Sequence, residues 1–181
     1  MRKTTIVSLI FGFFCVGCSI APKDAEAIKG LDIVSKNTIE QLSKQHHNLK
    51  TELETAVGHI VIDMKVTKVP VVGAGGGQGV IYTKGSEEKV YIKAVRADVG
   101  GGWGARSYKV LVVIHSSEVL EKSKKNHWIF DAGAEVAAGS AALEGGTGSL
   151  SKGYNVYHLS DIGASATITA RAIRVTTTPV R

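Results

Sequence analysis

Five glycines crowd seven consecutive positions at residues 73–79, in "GAGGGQG". Backbone N–H groups bared by glycine can cradle a polyphosphate at the start of a helix, so the run first suggests nucleotide chemistry. Its spacing argues otherwise. A dinucleotide fingerprint from Gly73 or Gly75 needs Gly or Ala where the chain has Gln78 and Val80, and no Gly-Lys-Ser/Thr triplet occurs anywhere. A second cluster, "GGGWGARSYKVLVVI", does place Gly100, Gly102 and Ala105 as G-x-G-x-x-A. Strand-forming residues follow it, however, where the fingerprint must open a helix. Of six histidines (His46, His47, His59, His115, His127, His158), only His46 and His47 are close, and adjacent helical residues point about 100° apart. No H-x-x-x-H pair and no G-x-S-x-G elbow is present. The sequence therefore predicts no metal site, no cofactor, no nucleic-acid partner and no catalytic residue, and the glycines read as packing devices that let layers approach closely.

The chemistry that the residues do support lies at the N-terminus. Arg2 and Lys3 precede an apolar run over residues 6–14, which ends in Cys15-Val16-Gly17-Cys18. This is the layout of a secretory signal, too short to span a bilayer. Its end resembles the bacterial lipobox, with Cys15 where leucine is usual, and on that resemblance Cys18 becomes the acylated first residue of the mature chain. Both cysteines of the protein fall at this junction. With Cys15 removed, no intramolecular disulfide can form, and stability must come from burial. Acyl chains contribute about 0.8 kcal/mol per buried CH₂, which suffices to hold the chain on a membrane. Ser19 in the second mature position favours the outer membrane, facing the periplasm, in a Gram-negative host. Cys18→Ser is expected to block acylation and leave uncleaved precursor. Labelling with a fatty-acid probe measures this, and undiminished label in the variant would refute the assignment.

Removing 17 of the 181 residues takes away Arg2 and Lys3 and lowers the formal charge of +6 by two. What remains is enough for one domain with a proper core. The reading divides the chain into a signal at residues 1–17, a lipidated linker at 18–24 and a single domain at 25–181. Ile28, Leu31, Val34, Ile39, Leu42, Leu49 and Leu53 recur with mostly helical spacing, and Asn37/Glu40 and Thr51/Glu54 mark places where the helix could restart. Lys36, Glu40, Lys44, Lys50 and Glu52 read as a solvated outer face. After Gly58 the period becomes strand-like, with Lys84-Gly85-Ser86-Glu87 as a hairpin loop and Ser117 capping a short helix through residue 125. In "KVYIK", alternation puts Val90, Ile92 and Ala94 on one face and Lys89, Tyr91 and Lys93 on the other. An aromatic between two cations suits phosphate headgroups, though a solvated edge explains the same pattern. Trp103, set among glycines, carries an apolar body with a polar edge and is the other candidate for a lipid contact, whereas Trp128 reads as core.

The order of segments resembles the SYLF domain: "VGHIVIDMKVTKVPVVGAGGGQGVIY", a hairpin, "GGGWGARSYKVLVVIHSSEVLEKSKKNHWIFDAGAEVAAGSA" and "VYHLSDIGASATITARAIRV". That lipid-binding family includes bacterial lipoproteins and yeast actin-binding relatives, and the likeness covers residues 38–175. Asp63-Met64 stands where bacterial members commonly have Phe-Pro, so binding residues are not carried over one by one. The resemblance implies a non-enzymatic domain that associates with lipid, and in a bacterial envelope anionic phospholipids are the expected partners. Fold and function expectations follow. The fold is α+β, with N-terminal helices on an antiparallel, glycine-rich, strongly curved and barrel-like sheet, and one short inserted helix. The function is that of a lipid-anchored cell-envelope protein binding anionic phospholipid through Lys89, Tyr91, Lys93 and Trp103. The alternative is a tethered structural or interaction protein with an envelope protein as partner.

Overall fold

The computed structural model describes residues 25–125, 128–139, 141–145 and 153–177, with residues 25–27, 130–139, 141–145 and 161–172 described by their backbone. The signal, the linker with Cys18, and His127 lie outside the described residues. Helices α1 (Ala25–Gln45) and α2 (Leu49–Thr55) come first. Strands β1 (Gly58–Lys68), β2 (Val72–Thr83) and β3 (Lys89–Ile114), helix α3 (Ser117–Lys124), and strands β4 (Trp128–Gly139), β5 (Ala141–Gly145) and β6 (Tyr154–Thr177) follow. The fold is α+β, and all strand pairings are antiparallel.

Leu31, Ser35, Thr38 and Leu42, spaced by four, three and four, form the buried stripe of α1. Two small polar residues in that stripe let the helix lie close, and the Thr38 hydroxyl donates back to the Val34 carbonyl (2.7 Å) instead of seeking water. The helix runs uninterrupted through Asn37, so neither expected capping box starts a helix. The break falls at residues 46–48, where Asn48 occupies the N-cap of α2 without a side-chain cap bond. Similarly, Ser116 and not Ser117 caps α3, accepting from the Val119 N–H.

The sheet is organised around the β1–β2 hairpin. Register pairs Val72 with Val99 on one side of the hairpin tip and Lys68 with Gly104 on the other. The single strand β3 therefore runs up along β2, passes around the tip and returns down along β1. At the crossing, the Gly100 and Gly102 N–H groups donate to the carbonyls of Val71 (3.1 Å) and Pro70 (3.3 Å). Both glycines, with φ of 147° and 131°, hold a conformation that a side chain would strain. β6 follows β3 along its whole outer edge, and β4 and β5 continue outward. The sheet is not closed, contrary to the barrel-like expectation: the order is β1-β2-β3-β6-β4-β5 with β1 also paired to β3. The two arms of β3 occupy both sides of the hairpin, and further strands add only to the outside.

The first glycine run lies inside β2, not in a loop. A Cβ on Gly77 would stand 2.2 Å from the Asp63 carbonyl and 2.5 Å from the Met64 sulfur, and one on Gly79 would stand 2.4 Å from the Val61 carbonyl. At Gly77 and Gly79 glycine leaves the space that the Ile62 and Met64 side chains of β1 need, a packing role inside a strand and not a polyphosphate loop at a helix start.

Two apolar layers result. Ile60, Ile62, Met64, Ile81, Ile92, Val110, Val112, Ile173 and Val175 meet on one face with Leu120 of α3, and Trp128 packs against them. On the other face Leu42 and Leu49 cover Val61, Leu111, Val113 and Leu159, while Leu31 covers Val80 and Tyr91. His59 is stacked on Tyr82 (4.7 Å between centroids) within the helix-side layer, and burial pushes its pKa down to about 4. The folded state therefore binds fewer protons than the unfolded state between pH 4 and about 6.5, and stability should rise with pH across that window. We expect a slope of up to about 1.4 kcal/mol per pH unit in urea melts, flattened in His59→Phe. An equal slope in the variant would show that the dependence arises elsewhere.

Candidate functional site

The alternation predicted for "KVYIK" is present, with Ile92 and Ala94 in the core and Lys89, Tyr91 and Lys93 on the opposite face. That face is not open to headgroups at Tyr91, because α1 lies across it: Tyr91 is 7% exposed and packs with Leu31 and Val80. Lys89 Nζ is 2.7 Å from Asp32 Oδ2, and the Tyr82 hydroxyl donates to Asp32 Oδ1 (2.9 Å). Burial pushes the Asp32 carboxyl up, but the bonds from Lys89 and Tyr82 outweigh it and hold the group below the usual carboxylate range. The same bond to Asp32 raises the Lys89 pKa. Lys93 is half-buried opposite Gln78. Lys89 and Tyr91 thus anchor α1, and the three residues do not form an exposed cationic aromatic.

Trp103 is placed differently. It is 69% exposed, at the point where β3 rounds the hairpin tip. Val69, Val71 and Val72 of the tip and Val95 and Val99 of the ascending arm are all more than half exposed. The tip is held in shape by Val69 N–H donating to Val72 O (3.0 Å) as well as by the two glycine bonds above. Register sets Val99 beside Ala170 and Trp103 beside Ala166, and sets Ala134 and Ala138 of β4 beside those two in turn. The extremity of the domain furthest from α2 therefore presents large apolar side chains to solvent. Exposed apolar groups scattered singly are ordinary on proteins, but a cluster of this kind marks a contact surface.

Behind the tip, on the opposite face of the same strands, charges are buried. Arg96 binds Asp98 in a bidentate pair (Nε to Oδ1 2.5 Å, Nη2 to Oδ2 2.6 Å) and its Nη1 donates to the Tyr108 hydroxyl (2.6 Å). Arg96 and Asp98 are each 2% exposed. Lys68 is buried close by: a Cβ on Gly73 would meet both Asp98 Oδ2 and Lys68 Cγ. Burial alone would favour the neutral guanidine, yet Asp98 and Tyr108 overcome it and raise the Arg96 pKa, so the group stays charged. The signal for this cluster was in the sequence. Arg96 and Asp98 share parity with Ile92 and Ala94, so a continuous strand carries them onto the core face.

A second cluster was missed because Glu52 reads as one charge of a solvated helix face. Its carboxylate lies at 3.0 Å from His115 Nε2, accepts from Asn155 Nδ2 (2.7 Å), and accepts from the Tyr157 hydroxyl. Burial raises its pKa, and these partners together lower it below the ordinary value. The cluster ties α2 to β6 and to the residue that follows β3, a structural role. Among the described residues no three His, Cys, Asp or Glu side chains are grouped as metal ligands would be. No helix among them is long and apolar enough to cross a membrane. No protein-family model and no curated protein matches the chain.

Proposed function

We propose that the chain is a lipid-anchored cell-envelope protein of the SYLF type, acylated at Cys18, whose folded domain binds anionic phospholipid through the hairpin tip. The observation that carries this reading is the exposed group of Trp103, Val71 and Val99 at one extremity of the sheet. An indole prefers the membrane interface, and neighbouring valines add apolar area that water does not favour. Glycine at the crossing of β3 supports a strongly curved surface there, with the protruding side chains outermost. The net positive charge of the chain adds attraction of about 1 kcal/mol for each basic residue close to an anionic surface, decaying over about 8 Å at physiological salt. Flotation of residues 19–181, without acyl chains, on vesicles containing phosphatidylglycerol tests the reading. Binding that weakens with salt is expected. No flotation at low salt would favour instead a tethered protein whose tip meets another envelope protein.

A further inference from the structure

We propose that the groove along the tip-ward side of α1 is a binding site for a phosphate ester, an inference that rests on the lipid-binding reading and names the headgroup chemistry. α1 crosses the sheet over the row Val80, Val61 and Leu111. The next two rows toward the tip are not covered by it. They run Lys93, Gln78, Asp63, Lys109 and then Gly76, Lys65, Ser107 in direct cross-strand register. Two adjoining clefts of about 280 and 520 Å³ lie here and share Asp63 and Lys65, with Leu31, Val34 and Gln41 of α1 as their wall. That is the size range of sites for small ligands, about 300–1,000 Å³.

The charges fit a phosphate. Among the described residues that line the clefts, Lys65 and Lys109 against Asp63 leave an excess of positive charge, and Asp63 sits directly across from Lys109, which offsets it locally. Ser107 and Ser160 bring hydroxyl donors to the same cleft. Lysine ammonium groups act as point charges toward phosphate and need no fixed fork geometry, so a ligand can be gripped from several strands at once. Gly76 keeps the floor open: a Cβ there would meet only the Ala94 carbonyl, at 3.9 Å. A side chain at that position would enter the groove without colliding with the sheet.

The test titrates the full-length chain in maltoside micelles with glycerol 3-phosphate, and in a second arm with phosphatidic acid doped into the micelles, reading heat or amide shifts. Lys65→Gln with Lys109→Gln should weaken binding at least tenfold, and Gly76→Val should do the same by filling the groove. Lys122→Gln with Lys125→Gln, an equal change in charge on α3 and the residue after it, should leave binding within twofold. Response in both arms identifies a site for soluble phosphate esters, and response to phosphatidic acid alone identifies a headgroup presented by lipid; either result upholds the site if both groove variants lose it. Binding undiminished in the lysine pair, equal loss in the α3 pair, or no response to either ligand would overturn it. Should Gly76→Val fail to fold, the lysine pairs decide alone. Trp103→Glu should retain the glycerol 3-phosphate titration, in which no lipid surface takes part, and lose affinity only in the lipid-containing arm, so failure of the groove and failure of tip docking are read in different arms.

Discussion

Trp103→Glu should cost the domain tenfold or more of its affinity for anionic vesicles while leaving its melting temperature unchanged. Fully burying a large apolar side chain contributes roughly 1.5–3 kcal/mol, and partial insertion of the indole at the interface retains enough of that for an order of magnitude in binding. The substitution also brings a negative charge toward a negative surface. Because Trp103 is 69% exposed, little of the fold depends on it. Ile33→Glu provides the comparison, since Ile33 is 60% exposed on α1 and the change in charge is the same. A diffuse electrostatic attraction would make the two variants equally weak. A docking tip makes only Trp103→Glu weak, and Val71→Glu should reproduce it. Equal vesicle binding by Trp103→Glu and the parent chain would remove the tip from the lipid-binding surface.

The largest loss of stability is expected from Asp98→Ala. Removing one partner of a buried ion pair strands the other charge out of water and costs about 3–5 kcal/mol, a large part of the 5–15 kcal/mol that holds an ordinary domain. Here the stranded group is Arg96, 2% exposed, whose Nη1 still donates to the Tyr108 hydroxyl. Replacing the pair together, Arg96→Met with Asp98→Leu, removes the stranded guanidinium and should recover part of the loss, because apolar substitutes for a buried pair are often neutral, while the buried Lys68 close by still lacks the Asp98 charge. Urea melts of the three chains measure this. A cost below about 1 kcal/mol for Asp98→Ala would mean that water reaches the guanidinium and that the cluster is not sealed.

The candidate site was legible in uneven measure. Trp103 was visible as an aromatic in a glycine setting, and its exposed position agrees with that setting. Lys89, Tyr91 and Lys93 were sorted correctly by face, but the cover over that face comes from α1, about 50 or more positions away in sequence, through Asp32 and Leu31. The same distance hid the role of Glu52, whose partners His115, Asn155 and Tyr157 follow it by 63, 103 and 105 residues. Nothing in the local pattern of a helix distinguishes a carboxylate facing solvent from one that will meet three donors on a sheet.

By itself the sequence determined the elements and their parity. The period of two separated Ile60, Ile62 and Met64 from Val61 and Asp63, and Gly85 at φ 75° closed the β2–β3 connection where the turn chemistry required it. The acylation proposed at Cys18 rests on the sequence alone. Only the tertiary structure decided that the second glycine cluster would continue a strand of 26 residues around the hairpin tip. It likewise decided that α1 would cross at the row of Val61 while leaving the rows of Asp63 and Lys65 open. The reason is that alternation fixes which side of a strand a residue occupies, a local consequence of backbone geometry. What lies over that side depends on where distant elements can bury their own apolar stripes, and the spacing of Leu31, Ser35, Thr38 and Leu42 finds its match only once the sheet is assembled.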